Sequence, residues 1–183
     1  ALRVETESAA LHGELADFAR LDDLAALAAR VRERYTGLRV LVNNAGVLTD
    51  HLQRSSEGHE LTFAVNHLAP ALLTLLLLDT LRANAPARIV HVASTALGGG
   101  APDFGNTQLA LRFDGWRAYA NTKLMNALFS LALARRLAGT GVVSNALCPG
   151  LIDTNFFHTN TVFAGGFYER SRCAWRRVPR RGT

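Results

Sequence analysis

Apolar residues recur every three or four positions over residues 21–35, at Leu21, Leu24, Leu27, Ala28, Val31 and Tyr35. That spacing predicts an amphipathic helix. Arg30, Arg32 and Arg34 fall near its end, where the helix dipole favours cations, and Thr36-Gly37 stops it. Residues 57–81 are helical in pattern and apolar on most sides in their second half, which predicts a buried helix. Asn66 and His67 lie in its middle. A buried amide left without a partner costs about 1–3 kcal/mol, so Asn66 requires one. A third helix is predicted over residues 118–138 and is closed by Gly139-Thr140-Gly141.

Between the helices stand short runs rich in aliphatic residues. They predict strands over residues 9–15, 38–42, 88–93 and 142–148. Alternation of strand and helix makes the fold class α/β with a mainly parallel sheet, and no internal repeat or domain boundary interrupts it. Three of the strands end on small or polar residues: Asn43-Asn44-Ala45-Gly46, Ser94-Thr95 and Pro149-Gly150. In parallel sheets functional residues collect beyond the carboxyl ends of the strands, so these three segments belong to one edge of the molecule. The roughly 20 residues from Gly98 to Arg117 exceed the usual connection, which points to a functional or mobile loop. Its Phe104, Phe113 and Trp116 suggest an apolar ligand.

Composition changes this picture little. With 183 residues, 49% hydrophobic and 19% charged, the chain has the make-up of one globular domain. The net charge of +5 resides in the tail, where Arg170, Arg172, Arg176, Arg177, Arg180 and Arg181 cluster. A near-neutral body argues against a nucleic-acid partner. The longest apolar run, residues 69–78, is short for a membrane span. Cys148 and Cys173 form no C-x-x-C, so neither a disulfide framework nor a zinc site is suggested, and a reducing, cytoplasmic location is expected. His51, His59, His67, His91 and His158 include no metal-binding pair of the H-E-x-x-H kind, and Ser94 lacks a G-x-S-x-G elbow.

The chemistry centres on Tyr119 and Lys123. Four residues apart on a helix, they share one face, and Lys123 is the only lysine among 20 basic residues. A compact ammonium can stabilise a phenolate, which an exposed Tyr/Lys pair of no function would not need. Asn43-Asn44-Ala45-Gly46, Asn66, Ser94, Tyr119-x-x-x-Lys123 and Pro149-Gly150 with Thr154 stand in an order and spacing that resemble the short-chain dehydrogenase/reductase family, in its retinol-dehydrogenase-like branch. The stretches E-G-H-E-L-T-F-A-V-N-H-L-A-P, R-I-V-H-V-A-S and Y-A-N-T-K-L-M-N carry that likeness, over about residues 9–157.

The resemblance implies an incomplete Rossmann-like, doubly wound parallel sheet and interconversion of a small or apolar alcohol and its carbonyl by hydride transfer. It implies NADP or NAD as cofactor. Tyr119 would be the acid/base, Lys123 its partner and a ligand of the nicotinamide ribose, Ser94 the group holding the substrate oxygen, and Asn66 the holder of a relay water. Glu14, in place of the family's usual aspartate, and Leu15 would meet the adenine. Asn43, Ala45 and Gly46 would turn past the adenosine side, and Pro149, Gly150, Ile152 and Thr154 would grip the carboxamide. Homodimers or homotetramers are expected by the same resemblance. The chain departs from the family in having no Gly-rich strand-to-helix turn and in its patternless, arginine-rich end. It is therefore divided into a partial dehydrogenase domain, residues 1–157, and a basic tail, 158–183, expected to be poorly ordered. A catalytically inactive remnant or an interaction module stays open as the alternative.

Overall fold

The computed structural model describes residues 11–109 and 112–150. Its elements run α1 (Leu21–Arg34), β1 (Val40–Asn43), α2 (Leu61–Ala83), β2 (Ala87–Val92), a 3-10 turn (Thr95–Gly99), α3 (Gly115–Arg136) and β3 (Val142–Leu147). The three strands are parallel in the order β1-β2-β3, with Leu41 opposite Ile89 and Ile89 opposite Ser144. Each predicted helix is present. α3 begins three residues before its expected start, because Asp114 caps it by accepting from the Arg117 amide at 2.9 Å. The long loop is correspondingly shorter. Gly139 and Gly141 turn the chain from α3 into β3 with φ of 78° and 77°, a region that an L side chain resists.

One strand expectation fails. Residues 11–15 of the strand expected over 9–15 are irregular among the described residues. A strand is held by ladder partners, and the described sheet offers this segment none. Ion pairs anchor it instead. Glu14 meets Arg30 Nε at 3.0 Å and also pairs with Arg34, while Arg30 donates to the Leu15 carbonyl at 2.9 Å.

The period-2 pleat sorts the sheet's side chains by face. On one face Ala87, Ile89, Leu133, Leu137, Val142 and Leu81 form a buried cluster, with Leu41 packed against it. Beyond it, Leu24 and Ala28 of α1 pack on Ala69, Leu73 and Leu77 of α2. The opposite face carries Val40, Val42, Val143 and Leu147, each 43–56% exposed. A doubly wound sheet is covered on both faces; the described residues cover one. The sheet is thus incomplete as expected.

α2 is a longer apolar helix than the run of residues 69–78 suggests. Over Leu61–Ala83 its length and mean hydropathy of 1.8 would suffice to cross a membrane, but half of that window is buried in the fold. Its buried Leu73, Leu77 and Leu81 belong to the clusters just described, as in a core helix.

Candidate active site

At the carboxyl ends of the strands the sequence does what parallel topology requires. β1 runs into Asn43–Gly46, β2 into Ser94, and β3 into Pro149-Gly150, while the N-terminal half of α3 brings Tyr119 and Lys123 against them. Residues from four distant stretches thereby meet.

Tyr119 is half-buried, with the Ser94 side chain near enough to favour its ionised form. One turn further along α3, Lys123 Nζ stands 5.4 Å from the centroid of the Tyr119 ring and donates to the Val92 carbonyl at 3.0 Å. Lys123 is 4% exposed, and this burial depresses its ammonium to about 8, against a small opposing effect of Cys148. Burial raises the Tyr119 phenol above its ordinary value, and the Ser94 side chain only partly offsets that. Desolvation penalises whichever form carries charge, so the same dry pocket moves the two groups toward their neutral forms.

Asn66 sits in a π turn of α2, Ala64–Leu68, and is fully buried. The cause lies four residues on. Pro70 has no N–H to give the Asn66 carbonyl and its ring crowds that carbonyl, so the helix widens there. Asn126 Nδ2 fills the gap, donating to the Asn66 carbonyl at 2.8 Å, while Asn126 Oδ1 lies 2.9 Å from His67 Nδ1. The Asn66 side chain is fully engaged as well. It accepts from the Val47 amide at 2.7 Å and donates to the Val47 carbonyl at 2.9 Å and to Thr122 Oγ1 at 3.2 Å. Asn66 therefore ties the turn after β1 to α2 and α3.

Gly46 belongs to the same cluster. A Cβ on it would lie 3.5 Å from both Asn66 Oδ1 and Lys123 Nζ, an ordinary contact distance, which places the turn directly beside the lysine. Ala45 is exposed beside it, and Pro149 and Gly150 are exposed after β3. Asn43 turns the other way. Its Nδ2 donates to Thr74 Oγ1 at 2.9 Å and approaches His91 Nδ1 at 3.3 Å, both inside the core. It supports the turn from beneath and presents no side chain at the edge. Glu14 is committed to its two arginines and Leu15 is 94% exposed. Ile152 and Thr154 lie outside the described residues.

Two contributors, Thr122 and Asn126, escaped the sequence reading. Thr122 takes the Asn66 amide and donates to the Tyr119 carbonyl at 2.8 Å. Asn126 follows Lys123 by three residues on the same helix, and Pro70 four residues after Asn66 was the signal that the carbonyl needed a donor from elsewhere. Trp116, three residues before Tyr119, stacks on it with ring centroids 5.9 Å apart and planes 30° apart.

The residues present suit one end of a nicotinamide dinucleotide. The turn at Gly46, the hydroxyls of Ser94 and Tyr119 and the Lys123 ammonium offer polar groups of the kind that end would need. Among the described residues no group of three or more His, Cys, Asp or Glu could hold a metal ion.

Comparison with known proteins agrees with this layout. A family model described as short chain dehydrogenase matches residues 2–162. Human retinol dehydrogenase 13 is 39% identical over 154 residues, covering 84% of this chain and 46% of that protein. Human retinol dehydrogenase 11 is 43% identical over 117 residues, or 64% and 37% of the two chains. Among solved structures, a candidate NAD(P) dependent gluconate 5-dehydrogenase from Beutenbergia cavernae, with NADP bound at low occupancy, superposes with a TM-score of 0.68 at 27% identity, covering 98% of this chain and 66% of that one. A short-chain dehydrogenase from Streptomyces avermitilis gives 0.62 at 28% identity, with coverages of 84% and 53%. The chain spans about half the length of the human retinol dehydrogenases 12 and 13 that it matches.

Proposed function

Because the chain belongs to the short-chain dehydrogenase family, we propose that the protein carrying it interconverts an alcohol and its carbonyl compound, with NADP or NAD as hydride carrier and Tyr119 as acid/base. The observation that carries this reading is the meeting of Ser94, Tyr119 and Lys123, one from a strand end and two from one helix face. When bound, the nicotinamide supplies or receives the hydride. In the direction of reduction Tyr119 gives its proton to the carbonyl oxygen as the carbon gains the hydride, and Ser94 hydrogen-bonds that oxygen while charge builds on it. In oxidation the proton returns to Tyr119. Lys123 holds positive charge beside the phenolate that reduction leaves.

Asn66 acts here by fixing the turn at Gly46 and Val47, and its carbonyl, already taken once by Asn126, keeps a second lone pair for a relay water. The backbone at Asn43, Ala45 and Gly46 and at Pro149 and Gly150 would border the cofactor, with Ile152 and Thr154 following in sequence. Leu75, Leu128 and Leu131, each about half exposed on α2 and α3, are where copies of the chain would meet.

The test is a pair of measurements. Calorimetric titration with NADPH and NADH is expected to show saturable binding, and Tyr119→Phe is expected to abolish carbonyl reduction with cofactor affinity retained. Binding absent up to millimolar cofactor would favour the alternative of an interaction module, and full turnover by Tyr119→Phe would remove the acid/base role.

A further inference from the structure

Asn126 can hold the Asn66 carbonyl in only one of its two orientations. An amide is nearly symmetric in shape, so its oxygen and nitrogen could exchange places with little change in packing. The Asn66 carbonyl only accepts, and Pro70 has no N–H to give it. Asn126 Nδ2, 2.8 Å away, must therefore face that carbonyl, which turns Asn126 Oδ1 toward His67 Nδ1 at 2.9 Å. An amide oxygen has no proton to donate, so the proton of the second bond belongs to His67 Nδ1.

His67 thus works as a lock on the amide. Were Asn126 to turn over, its oxygen would oppose the Asn66 carbonyl and its NH2 group would oppose the His67 N–H, two repulsive contacts in place of two bonds. The imidazole is itself held. Phe63, one turn earlier on α2, lies beside it with ring centroids 5.7 Å and planes 32° apart, and Phe129 of α3 stands perpendicular to it at 6.3 Å. Burial lowers the imidazole, with the Asn126 hydrogen bond opposing, so the ring is neutral at pH 7 and has one proton to place. Asn126 stands three residues after Lys123 on α3, so this pair ties the helix of the acid/base to the widened turn of α2.

We propose that His67 is a positioning residue for the reaction: donating from Nδ1 to Asn126, it keeps that amide turned toward the Asn66 carbonyl, which is then held for the relay water through which Tyr119 regains its proton. This rests on Asn66 holding the relay water. Two measurements need no turnover. Nitrogen-15 NMR of the His67 ring at pH 7 should show Nδ1 protonated and Nε2 bare; the opposite tautomer overturns the proposal. Asn66-His67 is the only Asn-His pair in the 183 residues, so carbonyl-labelled asparagine combined with nitrogen-labelled histidine singles out the Asn66 carbonyl. Its resonance should move in His67→Asp, which puts an acceptor where Nδ1 stands, and in His67→Leu, which has no donor. It should keep its place in His67→Asn, whose side-chain N–H overlays the Nδ1–H. A resonance unmoved in His67→Asp and His67→Leu, or moved as far in His67→Asn, overturns the proposal.

The third measurement is steady-state reduction of hexanal with NADPH. His67→Asp and His67→Leu should lower kcat about five- to tenfold, the weight of one hydrogen bond, with KM unchanged and a larger solvent deuterium isotope effect. His67→Asn should restore most of kcat. A fall in kcat with an unchanged isotope effect would mean that His67 only packs, and overturns the proposal. Turnover retained in Tyr119→Phe, or none in the unaltered chain, would instead overturn the reading beneath it, on which the two resonances do not depend.

Discussion

Replacing Lys123 by methionine should make the protein more stable at neutral pH, although it removes a central residue of the site. Burial lowers the Lys123 ammonium from 10.5 to about 8. At 1.36 kcal/mol per pKa unit, holding this group charged inside the fold at pH 7 costs about 3 kcal/mol. The Val92 carbonyl loses its donor in the variant, which returns about 1–2 kcal/mol of that. The net expectation is a gain of roughly 1–2 kcal/mol at pH 7. The pH dependence is sharper. An amine whose folded value is depressed binds protons more weakly in the fold than when unfolded. Its stability contribution is therefore complete above 10.5 and is lost as pH falls through about 8. Relative to Lys123→Met, the wild type should regain roughly 1 kcal/mol between pH 7 and 9 and about 2.5 kcal/mol by pH 10. Equilibrium urea unfolding followed by far-ultraviolet circular dichroism, at whole pH units from 7 to 10, measures this directly. Stability curves that stay parallel across that range would refute the claim that the lysine is buried at a cost.

His91 should make the protein acid-sensitive: burial first, then His67 nearby, lowers it to about 4. That contribution is present above 6.5 and lost as pH falls through 4, so His91→Gln should remove about 2 kcal/mol of the stability lost between pH 7 and 5 in denaturant melts. Asn126→Ala should cost about 2 kcal/mol by stranding the Asn66 carbonyl and His67 Nδ1. Restoring an N–H with Pro70→Ala should recover part of that loss, and strictly additive effects in the double-mutant cycle would contradict the account of the π turn.

What could be read from the sequence follows from the range of the forces involved. Leu24, Ala28, Leu73 and Leu77 fall at helical spacing and are buried, because amphipathic periodicity is a local record of which side faces the core. Asn43–Gly46, Ser94 and Pro149-Gly150 were placed on one edge because a parallel sheet aligns its strand ends, whatever the loops between them do. The strand expected over residues 9–15 was misread because a strand depends on a neighbour, and aliphatic residues such as Leu11 and Leu15 say nothing of whether one is paired there. Asn43 was read as part of the turn past the adenosine side, and the structure adds that its side chain follows the pleat inward to Thr74 and His91. The π turn was legible in principle from Pro70, four residues after Asn66, but only the fold shows that the replacement donor is Asn126.

The electrostatics of Tyr119 in the chain alone are informative about the site. Lys123 and an oxidised nicotinamide were read together as the charges that favour the phenolate; the chain by itself raises the phenol and lowers the ammonium, with burial as the leading cause of both. Lys123 stays mostly an ammonium at pH 7, but desolvation has brought it down to about 8, so its positive charge is lost as pH rises through that value. What the pocket supplies is the low dielectric, in which any charge brought beside Tyr119 acts far more strongly than it would in water. On this view, the protein's residues prepare a neutral phenol, with the Ser94 side chain near it and Trp116 and Lys123 along its ring. In the proposed reaction further positive charge would come with the oxidised nicotinamide. Tyr119 would then become a competent base only when the hydride acceptor is in place, so proton abstraction is coupled to cofactor occupancy by electrostatics alone, without a moving part.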